Sequence, residues 1–362
     1  MEENSAEEFA ELFEESFGQK EKIARALELL RAVVKSRGQY ADAYIRHNIG
    51  VATTVLRLGF DRNAVLAGLL HNAPRMGLGS EEIAREFGKA VLEIIEQQER
   101  FEKALVFRGG DMESARKKLL IVLSTNPQAV ILQLCEMLDK IRNLRDVPEE
   151  EQKGFISEVK ELYAPLAHKL GIYTISSEMN ELAFRFEQPE TYAKTQTMIT
   201  EIVSRSTSGL QETRDALEAS LKNAGIEAKT FGRVKTVYST HQKMKGKGVG
   251  IGRIYDLMAI RIVTGSEKEC YEALGIVHSL WKPIPEEFDD YIAKPKENGY
   301  KSLHTSVFTK DMTPIEIQIR TKEMQDFAEF GIASHWAYKG EKTDSRYDKK
   351  IDWIKQLIDW EK

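Results

Sequence analysis

The hydrophobic pattern changes once along the chain, near Pro189, and this change constrains the fold more than any other feature of the sequence. Before Pro189, apolar residues recur at helical spacing, and no strand pattern of comparable length interrupts them. After Pro189, short segments with the period-two alternation of a strand are interspersed with helical segments. The sequence therefore predicts a multi-domain protein with an all-α first half and an α+β second half built on a mixed sheet.

The predicted elements follow from this pattern. In the first half the predicted helices cover residues 22–34, 45–58, 63–70, 80–96, 114–123, 129–144 and 149–170. Asp61, Ser80 and Asp111 are residues that favour helix starts. In the second half we predict helices over 193–223, 267–281, 322–338 and 349–360, and strands over 226–233, 253–264, 303–309 and 315–319. The expected domains are residues 1–190 and 191–342, followed by a C-terminal helix within 343–362.

Composition limits the cellular setting. A chain of 362 residues can form two or three domains. Its two cysteines, Cys135 and Cys270, lie in separate apolar segments, which predicts buried free thiols rather than a disulfide framework. The acidic N-terminus lacks the order of a secretory signal, and no apolar run is long enough to span a bilayer, so we expect a cytoplasmic protein without a membrane partner. The net charge of −5 argues against wholesale coating of nucleic acid but allows a local basic pocket.

The polar segment from Asp290 to Thr305 is the most informative one for function. Its Asn298–Gly299 pair is typical of a turn, so the segment is predicted to be a loop rather than a central strand. Lys294 and Lys296 suit phosphate groups, and Tyr300 offers a ring on which a flat base can stack.

An alternating run follows this loop. Isoleucines alternate there with Glu316, Gln318 and Arg320, so the three polar side chains are predicted to share one face of a strand. A carboxylate, an amide and a guanidinium aligned beside a phosphate-suited loop favour a nucleotide site.

A basic segment lies earlier in the second half. Arg233, Lys235 and Lys243 place three cations near Ser239 within eleven residues. If a helix begins near Tyr238, Ser239 and Lys243 share one of its faces, and the helix N-terminus adds its own attraction for phosphate. The alternative is a solvated basic face.

Asp256 lies within a predicted buried strand, where a carboxylate needs a partner. Mg²⁺ bound together with substrate phosphates is one such partner. An ion pair with Arg253 or Arg261 is the alternative.

Five motifs of the second half carry the strongest functional signal. They are Gly232-Arg-x-Lys-x-x-Tyr-Ser, Ile254-Tyr-Asp-Leu-x-Ala-Ile-Arg, Asp290-Tyr-Ile-Ala-x-Pro-Lys-x-Asn-Gly-Tyr-x-Ser-Leu-His-Thr, Glu316-Ile-Gln-Ile-Arg-Thr and Ala333-x-His-Trp-x-Tyr-Lys. In this order they resemble the synthetase domain of the long RelA/SpoT enzymes, the synthetases and hydrolases of the stringent-response alarmones. The resemblance implies a nucleotidyltransferase-like domain that transfers pyrophosphate from ATP to the 3′-hydroxyl of GDP or GTP.

The resemblance also implies a role for each matching residue. Asp256 and Glu316 would hold Mg²⁺, and Glu316 would also accept the proton of the attacking 3′-hydroxyl. The phosphates of ATP would be bound by Arg233, Lys235, Ser239 and Lys243, and the adenine would stack on Arg261. The acceptor guanine would stack on Tyr300, and the rest of the acceptor nucleotide would be bound by Lys296, Asn298, His304 and Gln318.

One variable stretch of the family, either a basic Arg-x-Lys-Asp or an acidic Glu-x-Asp-Asp, has the acidic form in this chain, with Glu287, Asp289 and Asp290. This form resembles the synthetase-only branch. The three carboxylates are expected to alter the metal demand and the preference between GDP and GTP, or else to form a solvated acidic loop.

The first half resembles the family's all-α, metal-dependent HD-type hydrolase domain. His47, His71 and Asp139 match its metal ligands, and the later Asn143 is retained. The motif Ala164-Pro-Leu-Ala-His-Lys-Leu-Gly matches its closing helix. The resemblance implies either a surviving metal site at the two histidines and Asp139 or packed histidines with hydrogen-bond partners.

Four substitutions in this half remove the family's hydrolytic chemistry. Asn72 replaces a metal-binding aspartate, Arg75 and Met76 replace the catalytic Glu-Asp pair, and Arg142 replaces a histidine. Neither arginine nor methionine can act as a general base or align a metal-bound water. Hydrolysis is therefore expected to be lost. The first half would then be a pseudo-hydrolase that sets the synthetase on or off or binds an allosteric nucleotide.

The leading interpretation is a (p)ppGpp synthetase with an inactive, regulatory hydrolase domain. The alternative is a catalytically silent guanine-nucleotide sensor that signals through the helical half, and a still-active hydrolase is the third. Long family members reach the ribosome through C-terminal domains that this sequence does not contain, so no ribosome binding is expected from this chain, whether it is a truncated or a naturally short form.

Overall fold

The computed structural model of the chain describes residues 2–35, 41–105, 127–296, 298–310 and 312–331. The chain divides into two compact units between Tyr163 and Ala164. This division lies before the boundary expected near residue 190. The physical reason is packing, since Phe184 belongs to the same apolar cluster as Val237 and Leu257 of the second unit. The expected C-terminal helix within 343–362 lies outside the described residues.

The first unit is helical throughout the residues that the structure describes. Its helices are α1 (Glu2–Phe17), α2 (Lys20–Val34), α3 (Ala41–Arg57), α4 (Arg62–Leu70), α5 (Ser80–Phe87), α6 (Lys89–Leu105), α7 (Pro127–Arg142) and α8 (Glu149–Glu158), and a π-helical turn (Val159–Tyr163) ends the unit. The predicted helix over 114–123 and its start at Asp111 fall outside the described residues.

Local sequence signals explain where these helices begin and end. The Asp61 side chain caps α4 by accepting a hydrogen bond of 2.9 Å from the backbone N–H of Ala64. The single helix predicted over 80–96 is two helices, because Gly88 adopts φ 103° between α5 and α6. Cys135, on α7, is buried as a free thiol, as is Cys270 in the second unit, which confirms the expectation for both.

The second unit combines helices with one sheet. Its elements are α9 (Ala164–Lys169), α10 (Tyr173–Glu187), α11 (Pro189–Asn223), β1 (Lys229–Val234), α12 (Val237–Lys247), β2 (Met258–Thr264), α13 (Glu267–Leu280), β3 (Lys282–Asp290), β4 (Leu303–Phe308), β5 (Pro314–Thr321) and α14 (Lys322–Phe330). The sequence did not predict β3, because two prolines and four acidic residues hide its alternation. Strand β2 begins later than predicted, since residues Ile251–Arg253 form a 3₁₀ turn.

The sheet is mixed, as predicted, with the strand order β1-β2-β5-β4-β3. Strands β2 and β5 are parallel, and the other neighbouring pairs are antiparallel. One face is apolar, with Ile260, Ile317 and Val307 in a cluster that also takes side chains from α11 and α13. The opposite face holds the polar side chains considered below. No helix in the described part of the chain is long and apolar enough to cross a membrane.

Candidate active site

A polar cavity of about 320 Å³ lies on the polar face of the sheet. It is lined by Arg233, Lys235, Lys243, Asp256, Ala259, Glu287, Asp289, Tyr291, Lys296, His304, Glu316 and Gln318. The structure thus brings together residues predicted to bind ATP, the pyrophosphate donor, and residues predicted to bind GDP or GTP, the acceptor. The two carboxylates predicted to bind Mg²⁺ line the same cavity. Ser239, Arg261, Asp290, Asn298 and Tyr300 do not line this cavity.

Strand register explains why residues distant in sequence meet there. Ala259 of β2 lies opposite Glu316 of β5, and His304 of β4 lies opposite Gln318 of β5. Because side chains alternate along a strand, Glu316 and Gln318 share the polar face while the intervening Ile317 enters the core. The alternation predicted for this strand is confirmed.

Asp256 lies in a turn before β2, not within a strand as the sequence indicated. One of its carboxylate oxygens is 2.6 Å from Lys235 Nζ and 2.8 Å from Lys243 Nζ. Burial raises the pKa of Asp256, but the two ammonium groups outweigh it and hold that pKa below the ordinary value. The other oxygen, Oδ1, is buried without a hydrogen-bond partner. An ionised carboxylate with one free oxygen suits a hard cation.

Glu316 belongs to a closed ring of hydrogen bonds on the polar face of the sheet. Two arms of this ring start at Arg320, and each ends at one carboxylate oxygen of Glu316. Arg320 donates to Tyr300 Oη at 2.9 Å and to Gln318 Oε1 at 2.7 Å. Gln318 Nε2 then donates to Glu316 Oε2 at 2.6 Å. On the other arm, Tyr300 Oη lies 2.9 Å from His304 Nε2, and His304 Nδ1 lies 3.0 Å from Glu316 Oε1.

The chemistry of these groups fixes the direction of the ring. The guanidinium of Arg320 can only donate, so Tyr300 accepts from it and can give its own proton to His304 Nε2. The remaining proton of a neutral His304 then sits on Nδ1 and points at Glu316. Burial raises the pKa of Glu316, yet the bonds from His304 and Gln318 leave the net pKa below the ordinary value. The ring therefore holds Glu316 ionised, with both oxygens oriented.

The residues predicted to bind the acceptor nucleotide include one cation, which lies close to aromatic rings. Lys296 Nζ lies 4.4 Å from the ring centroid of Tyr291 and 5.4 Å from that of Tyr300. Tyr291 was not among the predicted site residues, although it follows the acidic stretch directly. Asn298 is turned away from the cavity, with its amide nitrogen bonded to the Tyr173 hydroxyl and its oxygen accepting from the backbone of Tyr300.

The residues predicted to bind the phosphates of ATP include two on helix α12. Thr236 caps this helix by accepting from the backbone N–H of Ser239 at 3.2 Å, and Ser239 and Lys243 lie one turn apart, as predicted. The N-terminus of this helix, for which an attraction for phosphate is predicted, has an acidic side chain bound to it. The carboxylate of Glu181 accepts from the backbone N–H groups of Val237 at 3.2 Å and Tyr238 at 2.8 Å, because an acidic side chain on α10 packs there.

Arg261 lines a second, more open cavity of about 1000 Å³ beside β1. Its guanidinium lies 3.3 Å from Glu329 Oε1, and burial together with Arg233 lowers its pKa. In the same cavity Phe231, opposite Arg261 in the strand register, is 48% exposed. An exposed ring beside a guanidinium is a platform for a flat base. No signal in the sequence singled out Phe231.

The acidic stretch belongs to strand β3, so the alternative of an acidic loop was wrong. Glu287 lies 3.2 Å from Lys247 Nζ and 4.0 Å from Lys243 Nζ, and Asp289 faces the cavity. Asp290 lies opposite Leu303, on the other face of the sheet. Its carboxylate accepts from the backbone of Ile292 and Ala293, so it stabilises the turn after β3 and does not join the cavity.

The predicted hydrolase residues also come together in the first unit. His47 Nδ1 lies 2.6 Å from Asp139 Oδ2, and the rings of His47 and His71 are 5.3 Å apart. Asn72 Nδ2 lies 2.8 Å from His71 Nε2, and Asn143 donates to Asp139 Oδ2 at 3.2 Å. Burial lowers the pKa of His71 to about 4, so its ring is neutral at pH 7.

The substituted hydrolase positions make contacts of another kind. The Arg75 guanidinium pairs with Glu102, and Arg142 donates to Thr54 Oγ1 at 3.0 Å. Met76 ends a 3₁₀ turn that begins at Pro74. None of these three side chains can accept a proton from water.

The fold and the two sites define a protein in which an HD-type helical domain precedes a mixed-sheet domain of synthetase type. Residues 232–343 match the family described as the region found in RelA / SpoT proteins, and residues 24–173 match an HD domain. The chain belongs to the RelA/SpoT family.

Homologous proteins support this assignment. The chain is 36% identical to a GTP pyrophosphokinase of Streptomyces coelicolor, covering 89% of this chain and 40% of the relative. It is 33% identical to a GTP pyrophosphokinase of Myxococcus xanthus, covering 88% and 43%. It is also 35% identical to a guanosine-3′,5′-bis(diphosphate) 3′-pyrophosphohydrolase of Aquifex aeolicus, covering 94% and 49%. The chain thus spans less than half the length of each of these three relatives.

Solved structures give more distant similarity. The crystal structure of small alarmone synthetase 1 from Bacillus subtilis bound to its product pppGpp is 22% identical, with a TM-score of 0.34 over 44% of this chain and 93% of that chain.

Proposed function

We propose that this chain is a (p)ppGpp synthetase, which transfers pyrophosphate from ATP to the 3′-hydroxyl of GDP or GTP. The observation that supports this most strongly is that one cavity is lined by Asp256 and Glu316 together with two groups of side chains: Arg233, Lys235 and Lys243, and Lys296, Tyr291 and His304. Two carboxylates together with these cationic side chains suit a reaction that joins two polyphosphate substrates.

The donor ATP binds on the side of β1 and α12. Its β- and γ-phosphates are bound by Lys235, Lys243 and Arg233. The two lysines exchange their ion pairs with Asp256 for ion pairs with these phosphates. Its adenine stacks between the exposed ring of Phe231 and the guanidinium of Arg261. Ser239 adds a hydroxyl from the first turn of α12.

Asp256 and Glu316 are the residues that would hold Mg²⁺. The donor set fits this ion, because carboxylate oxygens are its preferred protein ligands and the buried Oδ1 of Asp256 lacks a partner. When bound, Mg²⁺ would neutralise charge on the transferring phosphates.

The acceptor nucleotide binds on the side of β3 and β4, with Lys296 at its phosphates and Tyr300 against its guanine. The acceptor 3′-hydroxyl donates a hydrogen bond to Glu316, which is ionised and oriented by His304 and Gln318.

The 3′-oxygen forms a bond to the β-phosphorus of ATP while the bond between that phosphorus and the α–β bridging oxygen breaks, and AMP leaves. Glu316 takes the hydroxyl proton. Since phosphoryl-type transition states are loose, alignment and charge neutralisation contribute more than the basicity of Glu316.

The first unit is a pseudo-hydrolase with a regulatory role. Arg75 and Met76 stand where the family has its catalytic Glu-Asp pair. Arg75 forms an ion pair with Glu102, and the thioether of Met76 cannot do the work of a carboxylate. Incubation with ppGpp and Mn²⁺ should release no pyrophosphate, and measurable release would contradict this part of the proposal. A change in synthetase rate when a guanine nucleotide is titrated would support the regulatory role.

The central test is synthesis by the purified chain. With ATP, Mg²⁺ and GDP or GTP, we expect AMP together with the tetra- or pentaphosphate. Glu316→Gln keeps the shape and removes the charge, so the rate should fall by about 10²- to 10⁴-fold. Glu323→Gln, an exposed residue of the same unit, is the matched control. Full activity of Glu316→Gln would refute the assignment, and nucleotide binding without any product would favour the nucleotide sensor.

A further inference from the structure

We infer that Gln325 and Glu329 select ATP over GTP as the pyrophosphate donor, by accepting hydrogen bonds from the 6-amino group of adenine. The inference rests on the proposed function, in which the adenine lies between Phe231 and Arg261. Gln325 and Glu329 line the same cavity of about 1000 Å³ as those two residues. Neither was among the site residues that the sequence predicted.

Strand register explains why the base of ATP belongs in this cavity. Arg233 and Ala259 are paired across β1 and β2, and both line the smaller cavity, which takes the phosphates in the proposed function. Two positions further along the same strands, Phe231 is paired with Arg261, and both line the larger cavity. Side chains two residues apart share a face of the sheet and are about 7 Å apart. A nucleotide lying along this face therefore reaches both cavities.

Helix α14 brings the two selecting side chains to the base. Gln325 and Glu329 are four residues apart on this helix, so they share one of its faces. Glu329 Oε1 lies 3.3 Å from Arg261 Nη1 and also accepts a hydrogen bond from Gln325 Nε2. These contacts hold both side chains beside the guanidinium on which the adenine stacks.

The carboxylate of Glu329 fixes the orientation of the Gln325 amide. Because a carboxylate can only accept, the amide nitrogen of Gln325 points at Glu329 and the amide oxygen points away. That oxygen, Oε1, is buried and has no hydrogen-bond partner among the described residues. The contacts of Glu329 with Arg261 and Gln325 both use its Oε1, so its second oxygen can accept as well. The edge of the base site thus has two oxygens that can only accept.

Two accepting oxygens match adenine and oppose guanine. The 6-amino group of adenine has two N–H donors, one for each oxygen. Guanine has a carbonyl oxygen at the same position, which would face the two oxygens without a proton between them. Stacking cannot make this distinction, because every base has a π-face. The choice between ATP and GTP therefore falls to Gln325 and Glu329.

A purely structural role for Glu329 leads to a different expectation. If its carboxylate only neutralised the partly buried guanidinium of Arg261, its replacement would affect every donor nucleotide equally. A carboxylate that reads the base changes the ratio between donors instead. The ratio of kcat/KM values for two donors is therefore the quantity to measure.

The test follows pyrophosphate transfer from three donors to GDP at a saturating concentration. The donors are ATP, purine riboside 5′-triphosphate, which lacks the 6-amino group, and ITP, which carries the 6-carbonyl group of guanine. Release of each donor's monophosphate gives its kcat/KM. We expect ATP to exceed purine riboside triphosphate by about 5- to 150-fold, the value of one bidentate base contact, and ITP to be poorer still.

Substitutions assign this preference to the two residues. Glu329→Gln places an amide that can donate opposite the carbonyl of ITP, so kcat/KM for ITP relative to ATP should rise by about 5- to 150-fold. Gln325→Leu removes the buried oxygen and should make ATP and purine riboside triphosphate more alike. Glu323→Gln, an exposed residue of the same helix, is the matched control and should keep the ratios of the parent. Thermal unfolding reports whether each variant folds.

Two results would overturn the inference. One is a parent chain that uses purine riboside triphosphate as well as ATP, and the other is a Glu329→Gln variant that changes kcat/KM for ATP and ITP by the same factor. Failure of the proposed function is distinguishable, because no donor then yields product. In that event the affinities of the full chain for AMP and purine riboside monophosphate, measured by calorimetry, test the base site alone. Tighter binding of AMP supports the inference, and equal affinities overturn it.

Discussion

Arg320 should control the synthetase rate although it lies outside the cavity. Its side chain is almost completely buried, at 2% exposure, and burial lowers its pKa only to about 10, so it stays charged at pH 7. It starts both arms of the ring that ends on the two oxygens of Glu316. Both bonds come from one guanidinium nitrogen, Nη2. Arg320→Lys keeps the charge, but the lysine side chain is one bond shorter, so its ammonium group ends near the position of the guanidinium carbon and does not reach both acceptors at once.

The size of the effect follows from these two contacts. A hydrogen bond to a charged group contributes about 1.5–3 kcal/mol. A lysine can keep one of the bonds, at 2.9 Å to Tyr300 or at 2.7 Å to Gln318, and loses the other. If the lost bond affects only the alignment of Glu316 in the transition state, kcat falls by about 10- to 150-fold. The KM for ATP should stay nearly constant, because the donor-side lysines are not in the ring.

Steady-state kinetics with ATP and GDP varied separately measure this. Arg253→Lys, an exposed arginine of the same unit, is the matched control, and thermal unfolding reports whether each variant folds. Tyr300→Phe removes the hydroxyl of one arm, so the double variant with Arg320→Lys should lose less than the product of the two single effects. A folded Arg320→Lys enzyme with unchanged kcat, or one altered only in KM for ATP, would show that the ring does not align Glu316.

Four other substitutions test separate parts of the account. Phe231→Ala should raise the KM for ATP by about 5- to 150-fold, the value of one base-stacking contact, with little change in the KM for GDP; equal changes in both would contradict the adenine platform. Glu287→Gln should lower the KM for ATP, because Lys243 and Lys247 lose a competing carboxylate; an increase would show that the acid assists binding. Asp256→Asn should raise the Mg²⁺ concentration needed for half-maximal rate, measured by titration, and an unchanged Mg²⁺ dependence would exclude it as a ligand. Gly50→Ala places a Cβ 2.1 Å from Asp139 Oδ1, so thermal melting should show a loss of about 1–3 kcal/mol despite the better helix propensity of alanine.

The sequence predicted the features that depend on local pattern. The alternation of isoleucine with polar residues located the polar face of β5, and Asp61 located the start of α4. Both follow from side-chain periodicity or from a hydrogen bond within a few residues.

Features that depend on contacts between distant segments were missed or mistaken. Strand β3 is held by its pairing with β4, and its own residues would suit a loop. Glu181 occupies the N-terminus of α12 from 56 residues away. Glu136 of α7 lies close to His47 and His71 only because α7 packs against α3 and α4, and no spacing rule in one sequence reveals that.

The order of the strands has a consequence for how such proteins can diversify. Under the proposed function, the donor residues lie at the β1 edge, the carboxylates lie near the centre, with Glu316 on β5 and Asp256 in the turn before β2, and the acceptor residues lie towards the β3 edge. The register of β3 shifts between Ile284 and Phe288, so this edge already tolerates irregular backbone. The preference between acceptor nucleotides can therefore change when the edge strand β3 is exchanged, while the catalytic carboxylates near the centre of the sheet stay the same. Grafting residues 285–289 between homologues is accordingly the shortest engineering route to a new acceptor.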